Sequence, residues 1–175
     1  MYLGLNDWSQ KDRRKEYEEK GTRTLNRYWR MCFRHYFLIA SNTGCRPSEL
    51  IGRLRWSDVE IEELSPGRII SIVLVRKSKT GNKREIVSNA GKYFLRWKQW
   101  VDSYRLEKGF RPLTKQDLVF CNPKTEDAYT VTLYSRYFRR MRDELGLNPD
   151  YTLYSTRSYF VNEGIRQGRD PFDLA

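Results

Sequence analysis

Apolar positions first fall into register at residue 24. Leu25, Tyr28, Trp29, Cys32, Phe33, Tyr36, Phe37 and Ile39-Ala40 recur at three- and four-residue steps. That spacing predicts a helix with Thr24 as its N-cap and Gly44 as its stop. Pro47 then opens a short helix reaching about residue 52, proline being suited to the first helical position. Residues 54–59 leave the helix. The pattern next becomes β-branched over residues 68–75, turns at 78–83, and returns as a strand over 84–87. This predicts a hairpin with a basic tip, joined by a short strand near residues 59–62. Helical spacing resumes over residues 90–108, with Tyr93, Phe94, Trp97, Trp100, Val101 and Tyr104 as a core-facing aromatic stripe. It appears again over 132–145, with Leu133, Tyr137, Met141 and Leu145 on one side, and over 153–167, ended by Gly168. Residues 118–120 form a short buried segment between them. Asp170-Pro171 is the cap and first position of one further helix. The predicted fold is mainly α, mixed α+β: a helical bundle with a small antiparallel sheet. Residues 1–23 lack this patterning, and residues 10–20 are almost entirely charged, so 1–23 reads as a charged N-terminal arm and 24–175 as the domain.

Charge narrows the partners. Lys plus Arg number 33 against 22 Asp plus Glu, a formal net charge of +11, which favours a polyanion. No apolar run approaches the ~18 residues of a membrane span, and the polar N-terminus has no secretory h-region. A cytoplasmic location and no membrane partner are expected. The three cysteines (Cys32, Cys45, Cys121) form no metal pattern and read as reduced thiols. With His35 the single histidine, a histidine metal site or a Ser-His-Asp triad is excluded, and His35 itself reads as a packing residue in the first helix. No metal and no cofactor are expected.

The candidate chemistry lies in three stretches. Thr43-Gly44-Cys45-Arg46-Pro47-Ser48-Glu49-Leu50 holds a guanidinium at the junction of two helices, with Glu49 one turn away. Taken alone, Arg46 could equally cap carbonyls or pair only with Glu49. Lys79-Thr80-Gly81 lies in the hairpin turn, where Lys77 and Lys83 are rival cations. Tyr154-Ser155-Thr156-Arg157 begins the last long helix. A cluster of arginines (Arg136, Arg139, Arg140, Arg142) projects from the helix at 132–145, either as a solvated face or as phosphate contacts that would position a duplex without reading its sequence.

These stretches, in this order and with the hairpin between the two arginines, resemble the tyrosine recombinase (phage integrase) family. The first box, continuing through Leu54-Arg55-Trp56-Ser57-Asp58-Val59, looks like the family's first arginine box; the lysine turn and Arg157 look like its catalytic lysine and second arginine box. The resemblance covers about residues 24–175. It implies a recombinase catalytic core that acts on double-stranded DNA, in which a tyrosine attacks a phosphodiester to give a 3′-phosphotyrosine link during DNA integration and site-specific recombination. In that chemistry charge gathers on the non-bridging oxygens, which two arginines can clamp without a metal. The implied roles are Arg46 and Arg157 as the clamp, Lys79 as general acid to the leaving 5′-oxygen, and Glu49 as support for Arg46. Lys77, Lys83, Arg136, Arg139 and Arg140 are the implied DNA-binding residues. Self-association on DNA is a further expected partnership.

The sequence departs from the family pattern in three places. Tyr154 stands where the second box usually has histidine, and Ser158 replaces another; a phenol still hydrogen-bonds a phosphate oxygen but is a poor base at neutral pH. No nucleophilic tyrosine is assigned: Tyr159 is the sole tyrosine after Arg157 and lies in the same helix turn. The usual N-terminal helical domain is absent or reduced to residues 1–23. The expectation is a fragment, inactive in cleavage alone. The other readings are a non-catalytic DNA-binding module that retains the phosphate pocket and, against the absence of any recognised module for it, an RNA-binding helical protein.

Overall fold

The computed structural model describes residues 27–76 and 83–170. The arm at 1–23, Thr24, Lys77, Lys79 and the helix start at Pro171 lie outside the described residues. The described elements run α1 (Arg27–Thr43), α2 (Pro47–Leu50), a 3₁₀ turn (Trp56–Asp58), β1 (Val59–Ser65), β2 (Arg68–Val75), β3 (Arg84–Ser88), α3 (Gly91–Glu107), α4 (Val131–Glu144) and α5 (Ser155–Arg166).

Helix α1 is the axis of the domain. Its apolar residues cover more than one face, and fourteen of its seventeen residues are buried, so it is enclosed by its neighbours rather than laid on a surface. Helix α3 packs on one flank, where His35 stacks on Trp97 at 5.1 Å between ring centroids. Helix α4 covers another, with Tyr134 edge-on to Trp29 at 4.8 Å and to Tyr36 at 4.9 Å. Helix α5 packs against α1 as well. The aromatic stripe of α3 joins the core as expected: Phe94, Trp97 and Val101 are buried, and the Trp97 indole donates to the Val119 carbonyl at 2.7 Å. That bond fixes the short segment at 118–120, whose Val119 and Phe120 are buried.

The three strands form one antiparallel sheet in the order β1-β2-β3. Val59 faces Val73 across the first pair, and Ser71 faces Ser88 across the second, their hydroxyls 3.0 Å apart. The predicted short strand at 59–62 is a full strand reaching Ser65. Helix α3 starts hard against β2: a Cβ on Gly91 would collide with the Ile70 carbonyl, so this contact admits only glycine.

One expectation needs correction. The inner stripe of α4 is Tyr134, Phe138 and Met141, whereas Leu133, Tyr137 and Leu145 are only partly buried. The helix is rotated because the large rings of Tyr134 and Phe138 reach the aromatic residues of α1, and so take the positions nearest it. The stretch after α2 leaves the α-helix as expected and forms a 3₁₀ turn. Asp58 accepts from the Arg55 backbone N–H at 3.1 Å and closes a 3₁₀ turn ahead of β1.

Candidate phosphate-binding site

The geometry starts from Gly44. It has φ +64°, a left-handed conformation natural to glycine at a helix C-terminus, and its N–H returns to the Ala40 carbonyl at 3.0 Å. The reversal releases the chain from α1 and presents Arg46 as the N-cap of α2, with extended dihedrals (φ −68°, ψ 148°) and Pro47 at the first helical position. Glu49 closes the turn: its carboxylate accepts from the Arg46 N–H at 2.8 Å, while its own N–H donates to the Arg46 carbonyl at 2.9 Å. The other carboxylate oxygen takes the Arg46 guanidinium at 3.3 Å. The Glu49 side chain is almost fully buried and that of Arg46 is 28 % exposed, so the pair sits at the surface with its cationic half outward.

Arg157 comes to the same turn from the far end of the chain. It lies in the first turn of α5, is buried, and one guanidinium nitrogen donates to the Gly44 carbonyl. One helical turn on, the Phe160 ring lies against Gly44 so closely that a Cβ there would collide with it. The α1–α2 turn and the start of α5 thus form one packed unit, and the two predicted arginines meet on it.

A third arginine joins them that the sequence reading left within a strand. Arg84, the first residue of β3, donates to the Glu49 oxygen that also holds the Arg46 N–H, at 2.9 Å. Strand alternation carries the signal for it: Arg84 shares its face with Ile86 and Ser88, both turned inward, while Glu85 and Val87 are exposed. At the same end of the hairpin, just past the end of β2, Arg76 pairs with Asp58, the residue that closes the 3₁₀ turn. Both buried carboxylates therefore hold a backbone N–H of their own turn and an arginine of the hairpin.

Cys45 reports on the field in this unit. Burial, helped by the Glu49 charge, pushes its thiol up to about 11 against opposition from a Thr43 hydrogen bond and the Arg84 and Arg157 charges, so it is a neutral thiol at physiological pH. Two guanidiniums, Arg46 and Arg84, share the Glu49 carboxylate and a third, Arg157, holds the adjacent Gly44 carbonyl, leaving an excess of positive charge suited to an anion with several oxygens. Among the described residues no group of His, Cys, Asp and Glu could hold a metal ion.

The remaining candidates scatter. Tyr154 precedes α5 and is 52 % exposed; its carbonyl accepts from the Arg157 N–H at 3.0 Å. Lys83 is exposed ahead of β3, whereas Lys77 and Lys79 fall outside the described residues. Arg136 and Arg139 are exposed on α4, with Arg136 lying over the Tyr137 ring at 5.8 Å, and Arg140 pairs with Glu144 one turn on at 3.0 Å. Arg142 differs from them: it is largely buried and ties α4 to the following loop through the Pro149 and Tyr151 carbonyls. His35 is buried and contacts the Met31 carbonyl through Nδ1 at 2.8 Å, the packing role expected of it.

Comparison with known proteins bears on this arrangement. The sequence profile of the phage integrase family matches residues 19–174. No curated protein sequence matches the chain. Among solved structures, the XerH site-specific recombinase bound to difH substrate in a pre-cleavage complex is similar with a TM-score of 0.64 at 18 % identity, over 97 % of this chain and 43 % of that one. The XerA recombinase gives 0.55 at 17 % identity, over 96 % and 49 %. The Tn1549 transposon integrase in complex with a circular intermediate DNA gives 0.55 at 16 % identity, over 98 % and 53 %. The chain spans about half the length of these recombinases, and at such identities the likeness is one of fold.

Proposed function

The chain belongs to the phage integrase family, and from that premise we propose that it binds double-stranded DNA and grips a backbone phosphate with Arg46 and Arg157 in site-specific recombination. One observation carries this reading: two arginines from opposite ends of the domain converge on the Gly44 turn, one through Glu49 and one through the Gly44 carbonyl. Guanidiniums held by such contacts are pre-aimed, so little side-chain entropy is lost when a phosphate arrives. The DNA-bound state of XerH and of the Tn1549 integrase supports the same partner for this chain.

The roles follow the family chemistry. Arg46 and Arg157 take the non-bridging oxygens of the scissile phosphate, and Glu49 holds Arg46 in place. Lys79 protonates the 5′-oxygen as its bond to phosphorus breaks and the bond to an attacking tyrosine oxygen forms, a tyrosine that is not assigned among residues 1–175, so that this chain alone is expected to bind without cleaving. Tyr154 adds a hydrogen bond from the position usual for histidine. Lys77, Lys83, Arg136, Arg139 and Arg140 contact neighbouring phosphates, residues 24–175 acting as the integrase-type catalytic domain. Self-association on the DNA and a cytoplasmic location belong to the same proposal. A second reading, a DNA-binding module that keeps the phosphate grip without cleavage, is favoured by one feature: Tyr154 supplies no base where the family has one.

The test is duplex binding. Arg46→Ala and Arg157→Ala should each weaken affinity for a mixed-sequence DNA duplex at moderate salt, and each should lower the dependence of log affinity on log salt by about one unit. Unchanged affinity in both variants rules the clamp out.

A further inference from the structure

We infer that Arg84 is a positioning residue for Arg46, acting through Glu49 to keep the Arg46 guanidinium available to an anion. The inference rests on the phosphate-clamp reading and adds a residue to it. Glu49 is a buried carboxylate with two oxygens and three donors. Oε2 accepts from the Arg46 N–H at 2.8 Å and from Arg84 Nη2 at 2.9 Å. Among the described residues Oε1 accepts from Arg46 Nη1, at a longer 3.3 Å. Arg84 therefore anchors one edge of the carboxylate and supplies half of its countercharge. Glu49 then meets the Arg46 guanidinium through one oxygen and one nitrogen.

Without Arg84 that balance changes. A buried carboxylate needs full compensation, and among the described residues the remaining cation paired with it is Arg46. Glu49 would turn to take the guanidinium with both oxygens, the strongest geometry open to the two groups. The N–H pair that engages a phosphate would then be spent on Glu49, and the charge offered to an anion would be neutralised. Arg84 lies on β3 just after the lysine turn, so the hairpin and the first arginine box are joined through this one carboxylate.

The account is tested on the full chain by fluorescence anisotropy with a mixed-sequence duplex at fixed moderate salt, with thermal unfolding measured for each variant. Arg84→Met should weaken binding roughly tenfold, the scale of one charged hydrogen bond. The double variant Arg84→Met/Glu49→Gln should recover most of that loss, because the amide still accepts from the Arg46 N–H but does not neutralise the guanidinium. In an Arg46→Ala background, Arg84→Met should have little further effect. Wild-type affinity in Arg84→Met overturns the inference, as does a double variant no tighter than Arg84→Met, which would make Arg84 a direct phosphate contact or a purely structural residue. Should Arg84→Met unfold, Arg84→Lys with and without Glu49→Gln gives the same comparison, and failure of Glu49→Gln to tighten binding overturns the inference there. If Arg46→Ala and Arg157→Ala bind like wild type, the clamp reading falls; if they lose binding and Arg84→Met does not, the inference alone falls.

Discussion

Gly44 carries two constraints at one position. Its φ of +64° belongs to the left-handed region, and the Phe160 ring occupies the space a Cβ would need. Gly44→Ala should therefore cost about 2 kcal/mol in denaturant unfolding, combining the conformational penalty with the clash. It should weaken DNA binding as well, since the Gly44 carbonyl orients Arg157. Phe160→Ala in the same chain removes the clash and should restore part of the stability. His35 gives a prediction with a defined pH range. Burial, more than its charged neighbours Arg34 and Arg96, lowers its pKa to about 4 despite the bond to Met31. The unfolded chain takes up a proton near the ordinary value of about 6.5 while the folded one does not, so stability falls as pH drops through that interval, by about 3 kcal/mol in total. His35→Leu should flatten the unfolding free energy between those two pH values.

At the level of elements, the sequence made the type and order of nearly every described segment legible. Strong periodicity placed α1, α3 and α5 within a few residues, and a β-branched run placed β2 to the residue. It failed where three-dimensional partners decide. The face of α4 turned toward Tyr134 and Phe138 because aromatic rings of α1 fill that side. The roles of Arg84 and Arg76 were hidden because their carboxylates, Glu49 and Asp58, belong to other elements. The end of α3 shows the same principle away from the site. Arg105 is fully buried and shares Asp117 and Glu126 with Arg111. Asp117→Ala leaves that buried cation short of countercharge and should destabilise the domain by about 3 kcal/mol or more in chemical denaturation. Burial pushes the Asp117 carboxyl up, but hydrogen bonds from Arg111 and the Thr114 N–H and the charge of Arg105 more than offset it, leaving it below the usual carboxylate range. Its contribution is complete above about pH 4 and fades as acid protonates it. Asp117→Asn should lose stability at neutral pH and show a shallower acid limb.

The whole molecule sets a strongly cationic chain, +11 overall, around one turn where two arginines share the Glu49 carboxylate and a third holds the Gly44 carbonyl. No described helix is long and apolar enough to cross a membrane. The fold is that of the recombinase neighbours along nearly the whole chain, and the family profile spans the same residues. The arginine boxes were legible in the sequence because each is a local string; their meeting was expected through the family resemblance and not from spacing, because it depends on α5 returning to α1 across the whole domain. The central claim is that Arg46 and Arg157 act on one phosphate, and a double-mutant cycle on duplex binding tests it most directly. Arg46→Ala, Arg157→Ala and the double variant would be titrated with the same duplex at one salt concentration. Two groups sharing a phosphate should be coupled by ~1 kcal/mol or more, the double variant losing clearly less than the two single losses combined. Additive losses, or no loss in either single variant, would contradict it.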